Sequence, residues 1–208
     1  MEIHFIRHTR PKIDSGVCYG QSDINLADSF DEESEQVIQQ LSNFQNKGQY
    51  HQIFSSPSKR CLLLANKIRK HQKEPTTIEK DKNLMELNFG DWELKTWNEI
   101  PREQSDPWSE DFINISPPNG ENIISLKTRV LTSIEKIFSD LGSNQVKNST
   151  ENATDYNIAI ITHAGVMRII AAEFLGIPLS KLFMLNIHYG QILILTMQQD
   201  HFSLSFKN

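Results

Sequence analysis

Short apolar runs alternate along the chain with longer segments in which apolar residues recur every three or four positions. The short runs predict β-strands, and the one at residues 157–162 is apolar enough to be buried on both faces. Two further apolar runs close the chain, and we expect them to form a hairpin through Gln198–Asp200. The predicted strands are Glu2–Arg7, Gln52–Ser55, Thr76–Glu79, Asn157–Thr162, Gln191–Met197 and His201–Phe206.

Helices are predicted between most of these strands. The first carries apolar residues from Phe30 to Phe44 at helical spacing, and Gly48 is expected to end it. Pro57 is expected in the first turn of a second helix that runs through Lys70. Glu121–Leu141 is the longest predicted helix. Shorter helical segments are expected within Pro101–Asn119 and at Gly165–Leu175.

Three stretches lack a steady period. Thr9–Asp28 is predicted to be a long loop, and Leu84–Ile100 a loop-rich segment carrying several aromatic residues. Gly142–Asp155 is polar and is expected to be mobile. The alternation of strands and helices predicts an α/β fold, a three-layer α/β/α sandwich with a mostly parallel central sheet and an antiparallel edge. A length of 208 residues favours a single domain spanning residues 1–208.

The charge balance excludes some classes of partner. The chain has 21 Lys and Arg against 26 Asp and Glu, a net charge of −5, and 38% of its residues are hydrophobic. An acidic chain of this kind is unsuited to bulk nucleic-acid or anionic-membrane binding, which needs a clustered basic surface. We therefore expect no nucleic acid and no membrane partner, and any bound anion must be held by a local group of cations.

Cysteine and histidine spacing argues against redox and metal chemistry. Cys18 and Cys61 form no C-x-x-C pair, and no two histidines have metal-ligand spacing, so we expect neither a metal site nor a cofactor. The first ten residues lack the apolar segment of a secretion signal, and no apolar run is long enough to span a bilayer. We expect a cytoplasmic protein, and its oligomeric state is not predicted.

Cationic or imidazole side chains follow three of the predicted strands. The first strand runs into Arg7 and His8, the second is followed by Ser55 to Arg60, and the buried strand leads into His163. Ligands of open α/β sheets bind beyond the carboxyl ends of the strands, so these groups are expected to meet in one crevice. Arg60 and His163 also lie at predicted helix starts, where the helix dipole favours an anion.

This combination suits phosphate chemistry. Arginines and helix N-termini bind phosphate oxygens, whereas a neutral imidazole is able to attack phosphorus and form a phosphohistidine. A second imidazole, in its protonated form, is expected to stabilise the equatorial oxygens.

The same residues carry a resemblance to a known family. Arg7-His8-Thr9 resembles the Arg-His-Gly signature of the histidine phosphatase superfamily, which has the phosphoglycerate-mutase-like fold. Four more segments resemble family motifs and follow in family order over residues 1 to about 175. They are Ser56–Arg60, Leu84–Glu93, Pro118–Glu121 with Arg129, and Thr162–Gly165. Thr9 replaces the usual glycine, and Asp14 stands where the family loop has a phosphate-contacting asparagine. A carboxylate would repel phosphate, so we expect either that Asp14 points elsewhere or that the loop is shifted.

The resemblance implies a set of roles. His8 corresponds to the nucleophile, Glu86 to the proton donor, and Arg7, Arg60 and His163 to phosphate ligands. By the same resemblance, Gly20, Gln21 and Ala164 are candidate substrate-binding residues. The segment Cys18–Leu26 looks most like α-ribazole phosphatases of cobalamin biosynthesis. The implied function is a metal-independent phosphomonoester hydrolase acting on a small molecule, α-ribazole 5′-phosphate.

Three alternatives stay open at this point. A mutase would pass the phosphate to a second hydroxyl instead of water. A phosphatase of another metabolite or of phosphorylated protein would have the same phosphate-binding residues but different loops around them. A non-catalytic domain would bind a phosphorylated ligand without turning it over.

Overall fold

Six strands form one mixed sheet in the computed structural model, which describes residues 1–44, 46–147, 156–198 and 201–207. The strand order is β3-β2-β4-β1-β5-β6. Strands β3, β2, β4 and β1 pair in parallel, whereas β5 and β6 make the antiparallel edge. The strands are β1 Glu2–Arg7, β2 Gln52–Ser55, β3 Ile78–Lys80, β4 Asn157–Thr162, β5 Ile192–Gln198 and β6 His201–Lys207.

Helices cover both faces of this sheet, because successive side chains of a buried strand point to opposite sides. In β4, Ile158 and Ile160 pack with the residues of α4 and α5, whereas Ala159 and Ile161 pack with those of α1 and α2. The three-layer α/β arrangement predicted from the sequence is therefore confirmed. The helices are α1 Phe30–Ser42, α2 Lys59–Lys70, α3 Arg102–Glu110, α4 Ile123–Lys147 and α5 Ala164–Leu175.

The predicted end of α1 and the predicted start of α2 were wrong, whereas α2 ends at Lys70 as predicted. Helix α1 stops at Ser42, where the N–H of Asn43 turns back to the carbonyls of Gln40 and Leu41. Gly48 instead adopts a positive φ of 68° in the turn before β2. Helix α2 begins two residues after Pro57, because Ser58 is extended and its carbonyl accepts the first helical hydrogen bonds.

The predicted end of α4 was also wrong. The helix runs to Lys147 and takes in the first part of the polar stretch predicted to be mobile. Nothing in residues 142–147 breaks a helix by removing a backbone donor, since this segment contains no proline. The remainder of that stretch, residues 148–155, lies outside the described residues, as does part of the predicted turn between β5 and β6.

Candidate active site

The sheet brings the three predicted strand ends together. In the parallel register Arg7 of β1 lies opposite Thr162 of β4, and Ser55 of β2 lies opposite Ile161. Residues that directly follow these strands therefore emerge at one edge. The rings of His8 and His163 meet there, with centroids 5.1 Å apart.

His8 is held as a neutral imidazole. Its Nδ1 lies 2.7 Å from the carbonyl oxygen of Thr9, which only accepts, so Nδ1 carries the proton and Nε2 keeps a free lone pair. Burial and the positive charges of Arg60 and Arg7 hold the pKa of His8 well below its usual value. His8 is only 1% exposed, so it is more enclosed than the open crevice expected from the sequence.

His163 is also neutral in this arrangement, in contrast to the protonated form expected from the sequence. Burial and the charge of Arg60 are the main causes that hold its pKa well below the usual value. Nη2 of Arg60 lies 3.3 Å from Nδ1 of His163 and donates to it, which leaves the proton on Nε2. That proton is donated to the hydroxyl of Ser56 at 2.8 Å.

Arg60 is buried and Arg7 is half-buried, and both lack a carboxylate partner within the described part of the chain. Among the described residues neither Arg7 nor Arg60 forms an ion pair. Arg60 is fully buried and donates to the carbonyls of Gly20 and Ser22, and Arg7 donates to that of Ile187. The Nε of each arginine is buried with no hydrogen-bond partner among the described residues. Buried charge without compensation is costly, so this cluster is built for an anion.

The hydroxyl of Thr9 belongs to the same unsatisfied set. Thr9 is fully buried, and its Oγ1 has no partner within the described part of the chain. The substitution of the family glycine thus places one more donor beside His8. Asp14, by contrast, is solvent-exposed and lines neither described pocket, in agreement with the expectation that it points elsewhere.

Glu86 lies at the N-terminus of α5. Its Oε1 accepts the backbone N–H groups of Leu87 and Gly165, each at 3.0 Å. Arg129 holds the backbone of this segment by donating to the carbonyls of Met85 and Glu86, and it pairs with Glu121 at 2.6 Å. The sequence motif contained Arg129 and Glu121, but their role in supporting Glu86 becomes visible only in the structure.

Substituting Gly165 should displace the Glu86 carboxylate. A Cβ at residue 165 would lie 2.1 Å from Oε1 of Glu86, far inside contact distance. Since misplacing a catalytic group by about 1 Å can cost about 10²-fold, we expect Gly165→Ala to lower turnover of an alkyl phosphate roughly 10- to 100-fold. The control is Gly176→Ala, which strains a positive φ of 65° but meets nothing within 4 Å. Equal activity of the two variants would show that Gly165 does not position Glu86.

Glu93 organises the loop that contains Gly20 and Gln21. Its carboxylate accepts the backbone N–H groups of Gln21, Ser22 and Phe89. Burial raises the pKa of Glu93, but the hydrogen bonds from Ser22 and these N–H groups outweigh it and leave the pKa lowered. Gly20 has no side chain that could contact a substrate, and a Cβ at this position would lie 2.0 Å from the carbonyl oxygen of Leu87. In the structure Gly20 and Gln21 thus shape the loop around Arg60, and their contact with substrate stays a prediction.

A pocket of about 220 Å³ lies next to this cluster. Its polar wall contains Arg7, Tyr19, Glu86 and Arg168, and Ala164 also lines it. Its other walls are apolar and aromatic, and they include Phe89, Trp97, Leu126, Leu182 and Phe183. Trp92, from the same aromatic segment, is instead a core residue whose Nε1 donates to Gln104. Tyr19, Arg168 and Phe183 were not identified as site residues from the sequence. Tyr19 lies within the segment Cys18–Leu26 but was not singled out there, and Arg168 and Phe183 lie outside every motif.

The buried histidines should make the fold sensitive to acid. Burial lowers the pKa of His4, as it does for His8 and His163. The unfolded chain therefore takes up protons below about pH 6.5 before the folded chain does. We expect the free energy of unfolding to fall with pH there, by about 1.4 kcal/mol per pH unit for each histidine that stays neutral. Urea denaturation between pH 7.5 and 5 measures this slope.

A pair of variants tests how much His163 contributes to the pH dependence of the free energy of unfolding. His163→Asn should make it shallower by the share of one histidine, whereas His71→Asn, at an exposed position, should leave it unchanged. A slope that His163→Asn does not alter would contradict a neutral, buried His163.

Comparison with known proteins identifies the family. The sequence profile of the histidine phosphatase superfamily (branch 1) matches residues 3–208. The chain belongs to this superfamily. An adenosylcobalamin/alpha-ribazole phosphatase of Salmonella typhimurium is 28% identical over 112 residues, 51% of this chain and 48% of that protein. The aligned part thus spans about half the length of this curated relative.

Solved structures of this superfamily share the fold. The alpha-ribazole phosphatase of Shigella flexneri superposes with a TM-score of 0.80 at 20% identity, covering 99% of this chain and 95% of that one. A mycobacterial glucosyl-3-phosphoglycerate phosphatase solved with inorganic phosphate gives a TM-score of 0.77 at 17% identity, covering 100% and 95%. At these identities the similarity establishes the phosphoglycerate-mutase-like architecture.

The described residues contain neither a membrane-spanning helix nor a metal-binding cluster. Within the described ranges no helix is both long and apolar enough to cross a membrane. The same ranges contain no group of three or more His, Cys, Asp or Glu side chains arranged to hold a metal ion.

Proposed function

We propose that the protein hydrolyses phosphomonoesters through a covalent phosphohistidine on His8. The observation that carries this proposal is the pairing of a neutral imidazole, with its Nε2 lone pair free, and two arginines that form no ion pair among the described residues. Arg60 is buried and Arg7 is half-buried. A site that only bound phosphate would gain nothing from an unprotonated nucleophile. The family assignment supports the same reading.

In this mechanism Nε2 of His8 attacks phosphorus in line with the departing alcohol oxygen. The bond between phosphorus and that oxygen breaks as the bond to nitrogen forms. Arg7 and Arg60 neutralise charge on the equatorial oxygens. The phosphate dianion also opposes the guanidinium charges of Arg60, Arg7 and Arg129, which together with burial lower the pKa of His163. That pKa therefore rises on binding, and His163 donates as an imidazolium.

Glu86 completes the cycle from the other side of the reaction centre. It lines the pocket together with Arg7, so an ester oxygen leaving toward that pocket passes its carboxyl group. Glu86 donates a proton to this oxygen, and then takes one from the water that hydrolyses the phosphohistidine. The products are the alcohol and inorganic phosphate.

The pocket favours a leaving group that carries an aromatic ring. Phe89, Trp97 and Phe183 supply aromatic surface, and Arg168 provides one polar group 5.5 Å from the Phe183 ring. A small polyanionic substrate would instead require several further cations. The curated relative named as an alpha-ribazole phosphatase points the same way. We therefore propose α-ribazole 5′-phosphate as the substrate.

A matched pair of substrates tests this choice. α-Ribazole 5′-phosphate and ribose 5-phosphate present the same ester, and only the first has the aromatic base. We expect the base to raise kcat/KM, and Phe183→Leu to reduce that advantage. Phe206→Leu, similarly exposed but on β6, is the control. Equal kcat/KM for the two substrates would overturn the substrate assignment and leave phosphatase activity intact.

Turnover should survive an excess of chelator. Arg7, Arg60 and His163 together neutralise the charge that metal ions balance in two-metal phosphatases. We expect the initial rate with EDTA to match that of untreated enzyme. Loss of activity that Zn²⁺ or Mg²⁺ restores would contradict the metal-independent mechanism.

The alternatives have distinct outcomes in the same assays. A mutase would isomerise 3-phosphoglycerate faster than it releases inorganic phosphate. A phosphatase of another metabolite would prefer a different member of a panel of sugar phosphates and nucleotides. A binding domain would turn over none of them.

A further inference from the structure

The rings of two tyrosines lie over the guanidinium groups of Arg7 and Arg60. The ring of Tyr189 stacks on Arg7, with 3.9 Å from the guanidinium carbon to the ring centroid, and the ring of Tyr19 lies 5.5 Å from that of Arg60. The hydroxyls of Tyr19 and Tyr189 are 2.7 Å apart and share a hydrogen bond. The two residues are 170 positions apart in the chain, so this bond joins two separate loops over the cluster.

The pair separates the nucleophile from the substrate pocket. The 220 Å³ pocket reaches Arg7, Tyr19 and Glu86, but His8, Arg60 and His163 are not among the described residues that line it. His8 is 1% exposed, and the ring centroid of Tyr189 lies 5.7 Å from that of His8. Tyr189 therefore covers part of the approach to His8 in this arrangement.

The loops are the parts able to move. His8, Arg60 and His163 directly follow strands or begin helices of the central sheet, whereas Tyr19 and Tyr189 lie in segments without regular structure. Tyr189 also borders a second cavity of about 240 Å³, together with Gln36, Gln40 and Gly190. Tyr19 lines the first cavity and Tyr189 lines the second, and the two cavities share no lining residue. The tyrosine pair is thus a wall with space on both sides.

We propose that Tyr19 and Tyr189 form a gate, and that the hydrogen bond between their hydroxyls limits access to His8. A phosphate dianion competes with both aromatic rings for the guanidinium groups, so its binding favours the open arrangement. The identity of the entering ligand rests on the proposed function, whereas the gate itself is a statement about access to His8.

Chemical labelling of His8 measures that access without requiring turnover. Diethyl pyrocarbonate reacts with unprotonated imidazole, and mass spectrometry reports the rate at each histidine. Tyr19→Phe and Tyr189→Phe each remove the hydroxyl bond and keep the ring. A bond worth about 1 kcal/mol net implies a rise in the labelling rate of His8 of roughly fivefold in either variant. The double variant should rise no further, because both changes break one bond.

Two controls separate a gate from general loosening. Tyr156→Phe, at a residue that stacks on His51 away from the cluster, should leave the labelling rate of His8 unchanged. His4, which is fully buried within β1, is an internal reference whose rate should stay low in every variant.

The gate is overturned if both single variants label His8 at the wild-type rate, if their effects multiply in the double variant, or if His4 accelerates equally. Faster labelling of His8 alone, in a protein inert toward every phosphomonoester, would support the gate and overturn the proposed function.

Discussion

Replacing His8 with alanine should lower phosphomonoester turnover by about 10⁴-fold or more, because no other group takes over nucleophilic attack. The fold should persist, since the side chain of His8 makes one described hydrogen bond, to the adjacent Thr9 carbonyl, and the residue follows β1 rather than belonging to it. Its backbone hydrogen bonds with Thr162 and Gly190 do not depend on the side chain. Steady-state turnover and labelling with a ³²P-phosphomonoester, quenched in alkaline detergent to preserve phosphohistidine, test this. The wild-type enzyme should retain acid-labile label on His8, and the variant should retain none.

The control is His188→Ala, which removes an exposed histidine from the loop that carries Tyr189. Its turnover should stay near that of the wild type. Imidazole in solution gives a second readout, since it can occupy the space of the lost ring and restore part of the rate to His8→Ala. A folded His8→Ala variant with a near-normal rate would remove His8 as the nucleophile.

Glu86→Gln should have an effect that depends on the leaving group. An alkyl alcohol such as a ribose 5′-hydroxyl is a poor leaving group and needs a proton, so the loss should reach about 10²- to 10⁴-fold. A nitrophenolate leaves without a proton, so phosphohistidine formation from p-nitrophenyl phosphate should change much less. Glutamine keeps the shape of the side chain and its contact with the N–H of Gly165.

Single-turnover kinetics are required for this comparison. Glu86 is also the proposed base in the hydrolysis of phosphohistidine, and a slow second step would hide the difference between substrates in steady-state rates. Glu121→Gln is the control. It weakens the support of Glu86 through Arg129 and should slow both substrates to a similar extent. Equal losses for both substrates in Glu86→Gln would assign the proton donor to another group of the pocket.

Much of the site was predictable because strand ends are local features. Arg7 is the last residue of an apolar strand, and His8 and His163 each directly follow one. The rule that parallel strands end at one edge brings them together without knowledge of side-chain packing. The three-layer fold was predictable for a similar reason, since strands and helices alternate with clear periods. Helix boundaries were predicted less well. Helix α2 begins after Ser58 and α1 ends before Asn43 because of backbone geometry that periodicity does not reveal.

Long-range contacts between loops were not predictable. Tyr189 lies in a segment with no period and no motif, and its relation to Arg7 depends on how two loops meet over the sheet. The burial of His8 has the same origin. The neutral state of His163 follows from the packing of Arg60 against it. The sequence contains both residues but does not specify that they are in contact.

The order of strands in the sheet has a consequence for when the site is assembled. Strand β4 lies between β1 and β2, although it follows them by more than a hundred residues. As the chain is synthesised, Arg7, His8 and Arg60 all emerge early, and none of them has its final neighbours until residues 157–163 arrive. We expect the cluster of Arg7, His8, Arg60 and His163 to form late in folding, in the same step as the insertion of β4. In pulsed hydrogen exchange, the backbone amides of β1 and β4 should then become protected at the same time. A nascent chain therefore carries His8 and Arg60 long before residues 157–163, which complete their surroundings, have been synthesised.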